Sequence, residues 1–305
     1  MQRDGNTATA ARPMSTIISQ TVKTGIIKSN LFPMFAGLTL ALYTYNIQLF
    51  DKLPEIIYAF IGSILVMGAA GAFNNLYDRD IDAIMERTKN RPTVTGEIQF
   101  STVLWLAIIM SILGVGILSL ATPLAGLLGF IGLFVYTVPY TIWTKRTTIY
   151  NTEVGSISGA MPPLIGWAAM EPDISHPAIL GLFIVTVIWQ MPHFYAIAIR
   201  KNAEYTAANV PMLPVVKGIR RTYIQTNVYL VVLIATSFLF YSLSLGLALV
   251  SFLLGAAWLA LSIFGYNRMD SEKWARSMFL FSLLHMTILF STVILYSLVG
   301  IIIQM

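Results

Sequence analysis

Residues 55–82 read EIIYAFIGSILVMGAAGAFNNLYDRDID, a run that carries no charge from Ile56 to Tyr77 and then meets three acids, with two amides just before the change. A membrane-spanning helix needs about 20 mostly apolar residues, so this stretch reads as a span whose end emerges in an acidic tail. The pattern repeats along the chain. Nine windows meet or approach the spanning length, at about 26–46, 55–77, 102–120, 124–143, 154–170, 177–199, 223–244, 246–266 and 278–301. With 305 residues, 56% of them hydrophobic and only 11% charged, the chain has too much apolar surface for a water-soluble core. The bilayer is its solvent. The expectation is an all-α polytopic protein of nine transmembrane helices bundled around a central cavity. The fifth window, with Gly155, Gly159, Pro162, Pro163 and Gly166, is expected to be kinked and packed among neighbours.

Orientation follows from Lys and Arg. With nine spans, the N-terminal arm holds 4, and the loops after spans two, four, six and eight hold 4, 2, 5 and 3, which leaves only Lys52 of 19 on the other side. The N-terminus is therefore expected in the cytoplasm and the C-terminus outside. Residues 1–25, rich in Ala, Ser and Thr, read as a flexible cytoplasmic arm, and residues 26–301 as a single transmembrane domain. Arg3 and Arg12 leave a mitochondrial transit peptide as a competing reading, against which Asp4 and the short length count. The long loops at 78–101 and 200–222 follow two parallel spans. Asp82 stands ten residues before Pro92, and Glu204 ten before Pro214. Two parallel four-helix halves plus a ninth helix fit that echo.

The net charge of +5 does not point to nucleic acid, because no basic patch with its own soluble fold accompanies it. The absence of cysteine excludes disulfides, thiolate zinc sites, iron–sulfur clusters and thioether-linked haem. Any metal has to be held by oxygen or imidazole.

Asn74, Asp78 and Asp82 recur every fourth residue and share one face if the helix continues, with Asn75 beside them and Asp80 turned away. Hard oxygen ligands of this kind suit Mg²⁺, which takes one or two carboxylates together with substrate phosphates. Solvated loop charges are the competing reading. Two amides near the end of an apolar span weigh against it, because they are costly without partners. Arg87, Lys89 and Arg91 follow downstream, and Lys145, Arg146, Arg200 and Lys201 are expected on the same side. Such cations suit a diphosphate leaving group, although most cytoplasmic basic residues only set topology. Lys145 and Arg146 stand out because they follow Tyr140 in YTIWTKR at the close of span four. In the second loop Glu204 is the only acid, so a second metal would rest on one carboxylate. His193, behind Pro192 within span six, is a candidate ligand, with a hydrogen-bonded core histidine as the alternative.

These runs together resemble the UbiA-type intramembrane prenyltransferase superfamily, and within it the branch that farnesylates heme. The similarity covers about residues 25–300. NNLYDRDIDAIMERTKNRP (74–92) is similar to the first aspartate-rich motif, TKRTTIYNTEVGSISGAMPPLIGW (144–167) to the central segment, WQMPHF (189–194) to the sixth helix and EYTAANVPMLPVVKG (204–218) to the second loop. Two departures stand out: Asn75 replaces an aspartate common in the superfamily, and Glu204 stands alone where paired aspartates are usual.

The resemblance implies a cavity open to the cytoplasm and laterally to lipid. It implies farnesyl transfer from farnesyl diphosphate to a vinyl group of heme B, with water added to give heme O, in a bacterial plasma membrane or alternatively the mitochondrial inner membrane. Mg²⁺ would be the cofactor, held by Asn74, Asp78, Asp82 and Glu204, with one or two ions left open. Asp78, Asp82, Lys145 and Tyr140 would be catalytic. Asn74, Asn75, Arg87, Arg91, Arg146 and Lys201 would hold the diphosphate, and His193 would face the heme. Heme A synthase or terminal oxidase assembly factors are the implied protein partners. Prenyl transfer to an aromatic quinone precursor, and a transporter with a midplane site, are the alternatives carried forward.

Overall fold

The computed structural model describes residues 12–304, and every regular element among them is helical. In chain order they are α1 (Met14–Thr21), α2 (Thr24–Thr44), α3 (Leu53–Tyr77), α4 (Arg79–Ile84), α5 (Pro92–Thr95), α6 (Phe100–Ala121) and α7 (Pro123–Val135). A π-helical stretch, Tyr136–Thr144, continues α7. Then come α8 (Asn151–Gly159), α9 (Met161–Met170), α10 (Pro177–Arg200), α11 (Asn202–Ala207), α12 (Leu213–Thr236), α13 (Leu245–Tyr266) and α14 (Ser271–Gln304). Prolines in the first turns of α3, α7, α9, α10 and α12 mark several of these starts, where a missing N–H costs nothing and φ is already helical.

Eight stretches among the described residues are long and apolar enough to cross a membrane: Thr24–Thr44, Leu49–Tyr77, Phe100–Ala121, Pro123–Thr144, Pro177–Arg200, Leu213–Ser242, Leu245–Tyr266 and Ser271–Ile303. The fifth apolar window of the sequence is not among them. It is broken at Ala160 into α8 and α9, because Pro162 and Pro163 cannot donate to the preceding turn. All ten residues of α9 are buried, so this segment sits within the bundle. Glycine makes that possible. A Cβ on Gly166 would lie 1.9 Å from Met34 O, and one on Gly37 would lie 2.0 Å from Pro163 O. The backbones of α2 and α9 touch there, as small residues allow between membrane helices.

The stretch expected as a flexible arm is in part folded. Residues 1–11 lie outside the described residues, but α1 buries Ile17 and Thr21. Arg12 pairs with Glu97 at 2.8 Å and donates to Asn90 O at 2.9 Å. Its polar composition reads as an arm; the partners that order it, Asn75, Asn90 and Glu97, lie far along the chain. At the same end of the bundle, Ile81 and Met85 of the first long loop pack with Ala198 near the end of α10 and with Ala208, Val210 and Met212 of the second loop. The two loops therefore share one small apolar cluster.

Candidate active site

Helix α3 ends at Tyr77, and α4 begins one residue later with little change of course. Asp78 N–H donates to Asn74 O at 2.9 Å, and Asp82 N–H donates to Asp78 O at 2.8 Å, so the four-residue rhythm passes through the junction. Asn74, Asp78 and Asp82 consequently lie together, with exposures of 3%, 0% and 4%. Buried carboxylates need partners, and cations supply them. Lys145, at the end of the π-helical stretch, donates to Asp78 Oδ2, and Arg91 pairs with Asp82. Asp78 Oδ1 has no hydrogen-bond partner; Arg146 approaches it only to 3.6 Å.

Arg146 is held chiefly by Asp80, through two parallel bonds of 2.7 Å, and also donates to Tyr77 O at 2.9 Å. Asp80 is turned out toward solvent, as its register requires, yet it is the residue that orients Arg146. The guanidinium hydrogen bond holds the Asp80 carboxyl below the usual carboxylate range against a smaller opposing effect of burial. The sequence does not reveal this pairing, because Arg146 is 66 positions away.

Asn75 does not face this cluster. Its amide donates to Gln20 O at 3.1 Å and Thr21 O at 2.8 Å, so it ties α1 to α3. Asn74 donates to Thr141 Oγ1 at 3.1 Å and accepts from Lys23 Nζ. Lys23 is a site residue that sequence reasoning missed, since a lysine before an apolar span reads as a topology charge. Burial, and then the charges of Arg91 and Lys145, hold its ammonium well below the usual lysine range, against the pull of Asp78 and Asp82.

Glu204 stands apart from Asp78 and Asp82. It pairs with Lys201 at 2.7 Å, and that hydrogen bond, helped by nearby Arg87, holds its carboxyl below the usual range. Among the described residues no three His, Cys, Asp or Glu side chains gather into a metal cage. Lys201 and Arg87 are thus engaged with Glu204 at the second loop, while Arg91, Lys145 and Arg146 belong to the first acid cluster. Tyr140 packs on α8, where a Cβ on Gly155 would come within 2.9 Å of its ring, and lies 5.4 Å from the Tyr136 ring.

His193 lies at the α10–α14 interface, stacked on Trp189 at 4.5 Å and tilted against Phe279 at 5.2 Å. Ser282 Oγ donates to Phe279 O and lies 2.7 Å from His193 Nδ1. With its one proton so used, Ser282 accepts from Nδ1–H, which leaves Nε2 with a free lone pair.

Next to the acid cluster lies an apolar cavity of about 90 Å³, lined by Lys23 and Tyr136 together with Met67, Met161 and Ile165; Lys23, which bonds Asn74, connects the two. A buried arrangement of carboxylates and cations, joined through Lys23 to an apolar cavity, fits an amphiphile with a polyanionic head and a hydrocarbon tail.

Residues 30–284 match the model of the UbiA prenyltransferase family. The chain is 72% identical, over 99% of its own length and 99% of the relative, to protoheme IX farnesyltransferase 1 of Bacillus cytotoxicus. Among solved structures it is similar to a digeranylgeranylglyceryl phosphate synthase, with a TM-score of 0.75 at 15% identity covering 93% of this chain and 98% of that one. It is also similar to a UbiA homolog from Archaeoglobus fulgidus bound to DMAPP and Mg²⁺, with a TM-score of 0.68 at 15% identity covering 93% and 98%. At that identity the likeness carries the fold, and the family model and the bacterial relative carry the family: the chain belongs to the UbiA prenyltransferases.

Proposed function

We propose that the protein transfers the farnesyl group of farnesyl diphosphate to a vinyl group of heme B, with addition of water, to give heme O. One observation carries the site assignment. Asp78 is fully buried against Lys145, and its Oδ1 lacks a hydrogen-bond partner, an arrangement that suits a bound cation. The name of the Bacillus cytotoxicus relative supports the choice of donor and acceptor.

Asp78, Asp82 and Asn74 would hold Mg²⁺ with the substrate phosphates, consistent with a site of few protein ligands. When bound, the metal supplies Lewis-acid stabilisation of the diphosphate. The protein's own groups do the rest. Lys145, Arg91 and Arg146 neutralise charge on the diphosphate as the C1–O bond breaks, while Lys201 and Arg87 extend the basic lining at the second loop. The Tyr136 and Tyr140 rings face the developing allylic cation with their π clouds, an attraction of about 2 kcal/mol in a desolvated site. The apolar cavity keeps water from the allylic carbon until the vinyl group has attacked it. Water then adds to the resulting cation and loses a proton, which completes the hydroxyethylfarnesyl group. His193, with Nε2 free, is the proposed heme-iron ligand. Glu204 belongs to a second cation site only if the loops close further on substrate.

The topology that fits this chemistry counts α8–α9 as a fifth, broken span. That makes nine spans, arranged as two parallel four-helix halves plus a ninth helix. The N-terminus and the acid cluster face the cytoplasm, the C-terminus lies outside, and the membrane is the bacterial plasma membrane; the distribution of Lys and Arg supports this. Heme A synthase and terminal oxidase assembly factors are the proposed partners downstream. The test is mass analysis of heme extracted from cells that overproduce the protein. A heme heavier by a farnesyl group plus water is expected, and its persistence at an undiminished level in Asp78→Ala, at equal protein, would overturn the site assignment.

A further inference from the structure

Besides glycines, the described residues with left-handed backbone are two asparagines, Asn46 and Asn209, and Lys23. Asparagine tolerates that region; a long side chain does so at a cost in strain. Lys23 has φ 57° and ψ 54°, at the joint between α1 and α2. Strain of this kind persists where surrounding structure enforces it, and here the enforcement comes from one face of α3. Gly71, Asn74 and Asn75 stand at positions i, i+3 and i+4, which adjoin on a helix. A Cβ on Gly71 would lie 2.8 Å from Val22 O, so the glycine lets the joint lie directly on α3. Asn75 grips the carbonyls of Gln20 and Thr21 just before the joint. Asn74 Oδ1 receives the Lys23 ammonium just after it. The side chain so aimed lines the apolar cavity and at the same time touches Asn74 of the acid cluster, so it stands between the two.

We propose that Lys23 is a diphosphate-binding residue that contacts the leaving group beside its junction with the prenyl chain, and that Gly71 and Asn75 are positioning residues acting through it. This rests on the prenyl-diphosphate reading of the site and adds to it a cation from the segment before the first span. It also accounts for Asn75. A carboxylate there would face two carbonyl oxygens and push the joint away, whereas an amide donates to both.

The experiment uses the full-length protein in detergent, with Mg²⁺ and inorganic pyrophosphate as the binding probe and farnesyl transfer as the second readout. Lys23→Gly removes the ammonium and relieves the backbone. Its melting temperature is expected to equal or exceed that of the wild type, while pyrophosphate affinity falls by about 10- to 100-fold, the range for one hydrogen bond to a charged group, and KM for the prenyl diphosphate rises. Lys23→Arg, which keeps the charge, is expected to retain most of the affinity. Asn75→Ala is expected to weaken binding in the same direction but to add nothing in the Lys23→Gly background. Unchanged pyrophosphate affinity and KM in Lys23→Gly, or a melting temperature well below the wild type, would overturn the inference and leave the farnesyl-transfer reading standing. A wild-type protein that neither binds pyrophosphate nor transfers a farnesyl group would overturn that reading, and the inference with it.

Discussion

Asp78→Asn separates the structural and chemical uses of one carboxylate. The side chain keeps its size and one acceptor oxygen but loses the charge that Lys145 faces, and it gains an NH₂ with no acceptor in prospect. Asp78 is fully buried and the Lys145 side chain is 16% exposed. Losing one hydrogen bond to a charged group costs about 1.5–3 kcal/mol. Water can reach Lys145 in part, so a loss near 2 kcal/mol is expected for Asn. For Ala the figure approaches the 3–5 kcal/mol or so of an orphaned buried charge. Adding Lys145→Gln removes the stranded ammonium and is expected to restore most of the stability, a coupling of at least about 1 kcal/mol between two touching residues. Activity behaves differently. If both groups act on the diphosphate, each single variant loses about 10²- to 10³-fold in transfer, and the double variant recovers none of it. Thermal melting in detergent and single-turnover mass analysis of the heme product read the two quantities independently. A double variant that regains activity along with stability would show that the pair only holds the fold, and the assignment of both residues to the site would fall.

Asp80→Asn frees Arg146 and is expected to slow transfer by the same factor at pH 6 and pH 8. The Asp80 carboxyl lies below its ordinary value, so its bond is fully present above about pH 4 and is lost only as pH falls through the lowered value; a pH-dependent effect in the neutral range would contradict this. His193→Ala is expected to abolish the heme absorbance shift seen on titration into the purified protein, and Ser282→Ala to weaken heme binding by about 10- to 100-fold through loss of the group that fixes the ring. Equal heme affinity in both variants would refute the iron-ligand assignment. Gly166→Ala forces a methyl group into Met34 O and is expected to cost about 1–3 kcal/mol or more, seen as lost folded yield. Gly116→Ala, whose Cβ would meet nothing within 4 Å, is the silent control.

Much of the bundle was legible because lipid leaves the backbone few choices: apolar runs of spanning length become helices. The break at Ala160 was legible too, from Pro162 and Pro163. The grouping of Asn74, Asp78 and Asp82 followed from their spacing, since the helical rhythm passes through residue 78 almost undisturbed. Pairings across the fold were not legible. The run YTIWTKR singles out Lys145, but nothing local shows that it meets Asp78 while Lys201 stays in its own loop with Glu204. Asn75 and Asn74 look alike in the sequence yet point to different elements, because adjacent helical positions diverge by about 100°. Lys23 was hidden for a further reason: its reach into the site depends on a left-handed joint that no periodicity announces.

The nine residues Tyr136–Thr144 also fix a phase. On an α-helix, nine steps of about 100° would turn Lys145 to the side opposite Tyr136. A π-helix has about 4.4 residues per turn, and the same nine steps close two full turns within about 20°. Tyr136 in the cavity wall and Lys145 on Asp78 therefore share a face only because the coil is wide. An α-helix would need about seven residues to return to that face, so the segment stores two residues beyond the α count. Their effect is girth, which carries Tyr140 against Gly155 and Thr141 against Asn74. A chain shortened by two residues here would keep its lysine in phase and still lose the girth that brings Tyr140 to Gly155 and Thr141 to Asn74.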